Sequence, residues 1–339
     1  TNDLHGEAAY IFRRTDFSAR PALLREGATV PQTNVDSYYG NGGGKLIKDK
    51  LFFYLAYEKV KRDLPQVVTV TPAVLAQVGL PASFAEPIPF SQNVRFFFGK
   101  LDYQINNNHR LSLRFNGHAN DSPFNNAGGL SVVSRTHSFV DRSYVGAAQL
   151  ISTLSPNIVN EFRFQTPWRS QQQQAFSATG TGPSINITGV VQFGRAETTG
   201  FDFTEMTPEF GNNLSINSGK HSYKFGFTTR SIRDSQVQAT FGRYTFANIQ
   251  SYLDARNGVN PRSYLNFVQT IGEPQIKYNS LFSSFFAQDT YKPRANVTLT
   301  YGLRYDVYTA PTADKNSPLA ASQKFGADRN NFAPRVGIA

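Results

Sequence analysis

Apolar and polar residues alternate with a period of two along much of the chain. The clearest stretch is 109–119, where Leu111, Leu113, Phe115 and Ala119 fall on one face and Arg110, Ser112, Arg114, Asn116 and His118 on the other. Such a pattern, with charge on one face only, predicts a strand with one side against something apolar and the other in water. Residues 220–230 repeat it, with Tyr223, Phe225 and Phe227 opposite Ser222, Lys224, Thr228 and Arg230. So do 297–308, with Leu299, Tyr301, Leu303 and Tyr305 opposite Thr298, Thr300, Arg304 and Asp306. Weaker alternation marks 51–60 and 157–166, and further strands are predicted near 94–105, 139–153, 207–217 and 276–291. With 5–13, 34–46 and 330–339 the total is about twelve strands of about 9–14 residues, where soluble domains average about 5–6 and a tilted membrane strand needs about 9–11.

The connections alternate too. Tight polar turns fall at Lys48-Asp49-Lys50, Asn106-Asn107-Asn108, Ser155-Pro156-Asn157, Asn217-Ser218-Gly219-Lys220 and Lys292-Pro293-Arg294-Ala295-Asn296. Long, irregular connections fall near 14–33, 61–91, 120–137, 169–206, 234–274 and 310–328. Short turns on one edge of a sheet and long loops on the other predict an outer-membrane barrel, with the turns periplasmic and the loops extracellular. The expected fold class is therefore all-β: a transmembrane antiparallel β-barrel segment, one partial domain over 1–339, open or incompletely closed. Within the loops, Ala247 to Gly258 reads as a helix with Ile249, Leu253 and Tyr252 on one face and Gly258 as its stop. Ser170 to Gly182, with four consecutive glutamines, reads as a flexible loop tip.

Composition fits this picture. Apolar residues make up 40% and charged residues 17%, both low for a soluble enzyme, and the 29 Phe and 16 Tyr favour strands. No apolar run is long enough for a transmembrane helix, a test that a barrel escapes because only alternate residues face lipid. The absence of cysteine removes disulfide frameworks, thiolate metal sites and cysteine nucleophiles. The net charge of +10 comes from dispersed Lys and Arg without a block of like charges, so no nucleic-acid partner is expected. Thr1-Asn2-Asp3-Leu4-His5 carries no signal-peptide pattern, and the stretch ending at Gly337-Ile338-Ala339 has no turn residues, so the expectation is a piece of a longer chain.

The motifs that invite catalytic readings fail on inspection. Gly40-Asn41-Gly42-Gly43-Gly44-Lys45 resembles a phosphate loop, but Tyr39 stands where its first glycine belongs and Leu46 where Ser or Thr would hold magnesium. A Gly-rich strand end is the alternative. His5, His109, His118, His137 and His221 show no metal-ligand spacing, and no GxSxG elbow occurs. Asp202 and Glu205 read as solvated loop charge. Phe96-Phe97-Phe98 lacks the basic and glycine context of an RNA-stacking strand. No catalytic, cofactor-binding or metal-binding residue is therefore assigned, no cofactor is expected, and the chain is not expected to be an enzyme. Arg110, Arg114, Arg163, Lys224, Arg230 and Arg304 lie on the polar sides of their strands, where they would line a passage for anionic solutes or pair with acids of a plug; the second is favoured.

The joins between strands carry a resemblance. Gly6 to Asp16 (GEAAYIFRRTD) is similar to the first barrel strand of TonB-dependent outer-membrane receptors of the Oar-like type. Tyr39-Gly40, Gly43-Gly44, Ile47 to Tyr54 and Tyr57-Glu58 resemble its next hairpin, with Lys45 where the family usually has Pro. Leu154 to Arg163, Phe286 to Lys292, Leu299 to Asp306 and Asn331 to Gly337 match later family segments in order. The resemblance implies a barrel of about 22 strands around an N-terminal plug, of which this chain is the first half or slightly more. It also implies outer-membrane lipid, the protein's own plug and the inner-membrane TonB energy complex as partners, and import of an extracellular ligand such as a glycan or peptide. The ligand-binding residues stay unknown at this stage. A passive porin-like channel and a secreted β-rich binding module are the alternatives.

Overall fold

The computed structural model describes residues 2–339 except 25, 28, 176–181, 272–273 and 327. Its main sheet is an antiparallel wall built from β1 (His5–Arg14), β2 (Asn34–Ile47), β3 (Leu51–Asp63), β4 (Ser91–Asn106), β5 (His109–Asn125), β6 (His137–Ser155) and β7 (Ile158–Ala175). The next position is shared by β10 (Phe201–Met206) and β11 (Glu209–Ser218), and the wall ends with β12 (His221–Val237), β15 (Gln275–Arg294), β16 (Val297–Thr309) and β17 (Phe332–Ile338). Every predicted strand is present in its predicted place. The stretch predicted near 207–217 is one stave broken at Thr207-Pro208, because proline has no N–H to continue the ladder. The flanking bonds survive the break: Thr207 N donates to Pro167 O at 3.0 Å, and Ser231 N donates to Pro208 O at 3.0 Å.

Among the described residues β1 pairs only with β2 and β17 only with β16, so the wall is an open sheet, as expected. Register partners share a face in an antiparallel sheet, and two continuous faces result. One carries Leu55, Phe115, Phe162, Phe225, Phe285 and Leu303, all well exposed for large apolar side chains. The other carries Lys100, Arg114, Ala147, Gln165, Glu209 and Arg230 in one row across six staves. The short connections 48–50, 107–108, 156–157, 219–220 and 295–296 lie at one end. Asp49 (φ 56°) and Gly219 (φ 60°) adopt the left-handed conformation that such tight reversals need.

Three sequence readings are corrected. Ser170 to Ala175, including all four glutamines, extends β7 rather than forming a loop tip; Gln171 Nε2 donates there to Asp141 at 3.2 Å and Gln172 Nε2 to Asp202 at 3.1 Å. Residues 176–181 of that reading lie outside the described residues. Asp202 and Glu205 belong to β10, not to a loop. The third concerns four of the six long connections, which carry regular structure. Connections 64–90, 126–136, 182–200 and 238–271 contribute to a cap at the long-loop end, built on a second sheet in the order β14 (Asn266–Gln269), β13 (Gly242–Phe246), β8 (Ser184–Ile187), β9 (Val191–Phe193). Two short helices join it, α1 (Pro72–Gln77) and α2 (Ile249–Arg256). The helix predicted over 247–258 is α2; Asn248 caps it, accepting from Ser251 N at 2.9 Å, and Gly258 follows with φ 75°.

The buried hydrophobic core of the chain sits in this cap, not in the wall. Val68, Val70, Leu75, Val78 and Ile88 come from the first of the four connections, Val132 from the second, Ile187, Val191 and Phe193 from the third, and Phe246 from the fourth. A wall that meets an apolar medium on one side has no need of an internal core. Its loops, which meet water, do.

Candidate functional site: the polar face beneath the cap

The six basic residues predicted to face inward all lie on the polar face, and three of them converge. Arg110, Arg114 and Arg163 line a hollow of about 520 Å³ with Lys100, Gln165 and Glu209. Its floor is kept low by Ala147 and Gly211, which stand in the same register rows. The acids around it are already committed. Asp102 takes Lys100 at 2.7 Å and Arg110 at 3.5 Å. Glu161 accepts from Gln149 at 2.6 Å and from Asn213 at 3.0 Å, and Glu209 accepts from Gln165 at 3.3 Å. Arg304 pairs with Asp306 at 3.0 Å, two positions along its own strand. Acids of the wall itself thus serve several of the basic residues. Among the described residues Arg114 and Arg230 make no ion pair, so the hollow retains free positive charge.

Toward the cap, the same face turns aromatic. Tyr39, Phe96, Phe98 and His118 line a second hollow of about 340 Å³ with Glu58 and Asn116. The His118 ring lies 5.0 Å from that of Phe96, and Phe98 packs edge-on against Tyr54 at 5.9 Å. The Phe96-Phe97-Phe98 run is thereby divided: Phe96 and Phe98 face the polar side and Phe97 the apolar side. That run also hid Lys100 from the sequence reading, whereas Gln165 and Glu209, on other strands, were missed because only cations were singled out on the polar faces. Lys100 is in phase with Phe96 and Phe98, so its strand shows no clean alternation there.

The cap is locked by charge as well as by its core. Glu197 accepts from Arg135 at 3.3 Å and from Arg243 at 3.0 Å, and Arg135 also donates to Ser184. Arg256, at the end of α2, donates to Val78 O at 2.9 Å beyond α1. Four connections are tied into one body above the two hollows.

The remaining predicted positions are dispersed. His109 bonds Ser152 at 2.9 Å, His221 meets Asp289 at 2.6 Å, and His137 lies at the cap end of β6. Among the described residues no three His, Cys, Asp or Glu side chains gather as a metal site would require. Gly40 to Lys45 is strand, with Gly43 lying against Tyr54 closely enough that a Cβ would meet its ring.

Comparison with known proteins places this architecture. The outer membrane beta barrel domain family matches residues 1–87 and 66–339, and the chain belongs to that family. It is a protein of the bacterial outer membrane. No curated protein matches it in sequence. In structure it is similar to the outer membrane transporter YddB of Escherichia coli, at TM-score 0.61 and 12% identity over 99% of this chain and 41% of that one. The siderophore receptor PirA of Acinetobacter baumannii aligns at TM-score 0.52 and 14% identity, over 100% of this chain and 41% of that one. BauA, the ferric preacinetobactin receptor of the same organism, aligns at 0.50 and 11%, over 100% and 45%. The chain spans less than half the length of these structures, and the likeness is one of fold. With the family shown, the apolar face is the lipid face, the polar face is the lumen, and the cap is extracellular.

Proposed function

We propose that this chain is part of a TonB-dependent outer-membrane transporter of the Oar-like type, which captures a ligand under its cap and passes it along the lumen wall. The observation that carries the reading is the sequence of surfaces on one face: cap, aromatic hollow, cationic hollow, in order from outside inward. Aromatic faces suit sugar rings and apolar side chains, while the free Arg114 suits a carboxylate or phosphate. The ligand class is accordingly a glycan or peptide that bears negative charge. Coupling to the inner-membrane TonB complex and a plug in the lumen belong to this proposal, supported by the motif order along the strands and by the fold shared with a transporter and two receptors.

The test uses the full-length protein in an outer-membrane host with and without a working TonB system. Uptake of labelled acidic oligosaccharides and acidic peptides is followed, and the purified protein is placed in liposomes to measure passive leak. Energy-dependent uptake with no leak supports the proposal, and Arg114→Gln should lower that uptake about tenfold. Leak that is independent of TonB identifies a passive porin and ends the transporter reading.

A further inference from the structure

The lipid face carries an arrangement that lumen transport does not use. One register row on this face reads Tyr57, Phe97, Gly117, Tyr144, Trp168 across β3 to β7. The four rings form a stacked band, with centroids 6.3 Å apart for Tyr57 and Phe97, 6.4 Å for Phe97 and Tyr144, and 5.6 Å for Tyr144 and Trp168. Aromatic bands of this kind mark the edge of the hydrocarbon layer. Two residues further toward the cap, the next row on the same face reads Lys59, Arg95, Ala119, Arg142, Ser170. Three cations therefore stand at headgroup height of the outer leaflet, around a notch whose floor is the single methyl of Ala119. A single carboxylate serves them: Asp121 pairs with Arg95 at 2.7 Å and also with Arg142. Among the described residues Lys59 makes no ion pair, so the notch keeps a net positive charge.

Below the aromatic band, the wall is hollowed on the lipid side. Leu55, Gly99, Phe115, Gly146 and Thr166 form the row directly beneath, and they line an apolar trough of about 720 Å³. Gly99 leaves out a side chain between Leu55 and Phe115, and Gly146 leaves one out between Phe115 and Thr166; those gaps form the trough. Cationic notch, aromatic band and apolar trough lie in line across the same five neighbouring strands, β3 to β7.

We propose that this stripe is a binding site for a phosphorylated lipid of the outer leaflet, with its phosphate held by Lys59, Arg95 and Arg142 and an acyl chain seated in the trough. Multidentate guanidinium contact and a third cation match a phosphate better than a zwitterionic headgroup, whose positive end would meet these residues unfavourably. The inference rests on the membrane placement of the wall and not on the transport reading.

The test takes the full-length protein in a neutral detergent and follows Trp168, the one tryptophan of this chain, as the fluorescence lost in a Trp168→Phe control. Bis-phosphorylated lipid A, dephosphorylated lipid A and inorganic phosphate are the probes. Phosphorylated lipid should perturb Trp168 saturably, and Arg95→Gln with Arg142→Gln should raise the half-saturating concentration at least about tenfold. That pair of changes strips Asp121 of its partners, so Lys59→Gln is the second variant; it leaves both ion pairs intact and should still weaken binding several-fold. Equal response to dephosphorylated lipid, saturation by inorganic phosphate alone at the same concentration, or unchanged binding in both variants would each overturn the proposal.

Discussion

The ring of Phe97 lies across the backbone of Gly117, its register partner on the neighbouring strand, with no room between them for a Cβ. The absent side chain lets Phe97 reach Tyr144, and so joins Tyr57 to Trp168 through one band. Gly117→Ala should therefore push Phe97 off its rotamer and break the band, at about 1–3 kcal/mol. Gly146→Ala is the matched control on the same face, since its Cβ would meet only Thr166 Cγ2, at an ordinary 3.9 Å. Urea titration of the full-length protein folded into lipid vesicles checks the pair: Gly117→Ala shifts the midpoint down and Gly146→Ala leaves it nearly in place.

Glu197 holds two arginines from two other connections, and one of these, Arg135, is itself buried. Glu197→Gln keeps the shape and removes the charge, leaving Arg135 without its compensating anion. The pairs are partly solvated on the Glu197 side, so the cost falls below that of a fully buried pair, at about 1–3 kcal/mol. The loss should be confined to the cap. Hydrogen exchange should quicken in 184–200 and 242–246 while the wall strands keep their protection.

The strands were legible in the sequence because each stave repeats one physical demand, lipid on one side and water on the other, over ten residues or more. Leu111 to Ala119 shows this plainly. Of the cap only α2 was legible, because the other elements are short and their partners lie far apart in the chain. Val191-Gln192-Phe193 is a three-residue strand whose neighbour β8 ends four residues before it, yet β13, beside β8 in parallel, comes from more than fifty residues later. The four glutamines of β7 misled for a different reason. Gln171 to Gln174 carry no apolar alternation, since that part of the stave stands clear of the membrane with water on both sides. Of the lumen site, Arg110, Arg114 and Arg163 were visible as charges in phase on alternating strands. Which acids neutralise which bases was only partly legible: Asp102 and Asp306 stand two positions from Lys100 and Arg304 on their own strands, but the reach of Arg110 to Asp102 depends on register between staves.

Leu75 is fully buried at the centre of the cap core, on the helix contributed by the first of the four connections. Leu75→Ala should leave a cavity costing about 2–5 kcal/mol. The wall reaches that core only through Phe124 at the end of β5, so its proteolytic resistance in vesicles should be unchanged. The cap should be cut within 64–90 and 238–271 at protease levels the native protein resists. Loss of wall resistance in the same experiment would mean that cap and wall fold as one unit.

His137 lies where the 126–136 connection enters β6, seven residues beyond the aromatic band at Tyr144 and so outside the hydrocarbon layer. Burial is the main influence on it and pushes its pKa below the ordinary histidine value, outweighing the opposing contact with the Ser138 carbonyl. The neutral ring is thus favoured in the folded cap, while the unfolded segment takes up its proton near pH 6.5. The sign follows from linkage: between the two pKa values the unfolded state binds more protons, so stability falls as pH falls. The contribution is fully present above pH 6.5 or so and is lost as pH drops through the lower, folded value. Hydrogen exchange at residues 130–140, corrected for intrinsic rates, should accelerate when the full-length protein is taken from neutral to mildly acidic buffer. His137→Gln, which cannot titrate, should flatten that pH dependence while leaving exchange in the β15–β16 part of the wall as it was.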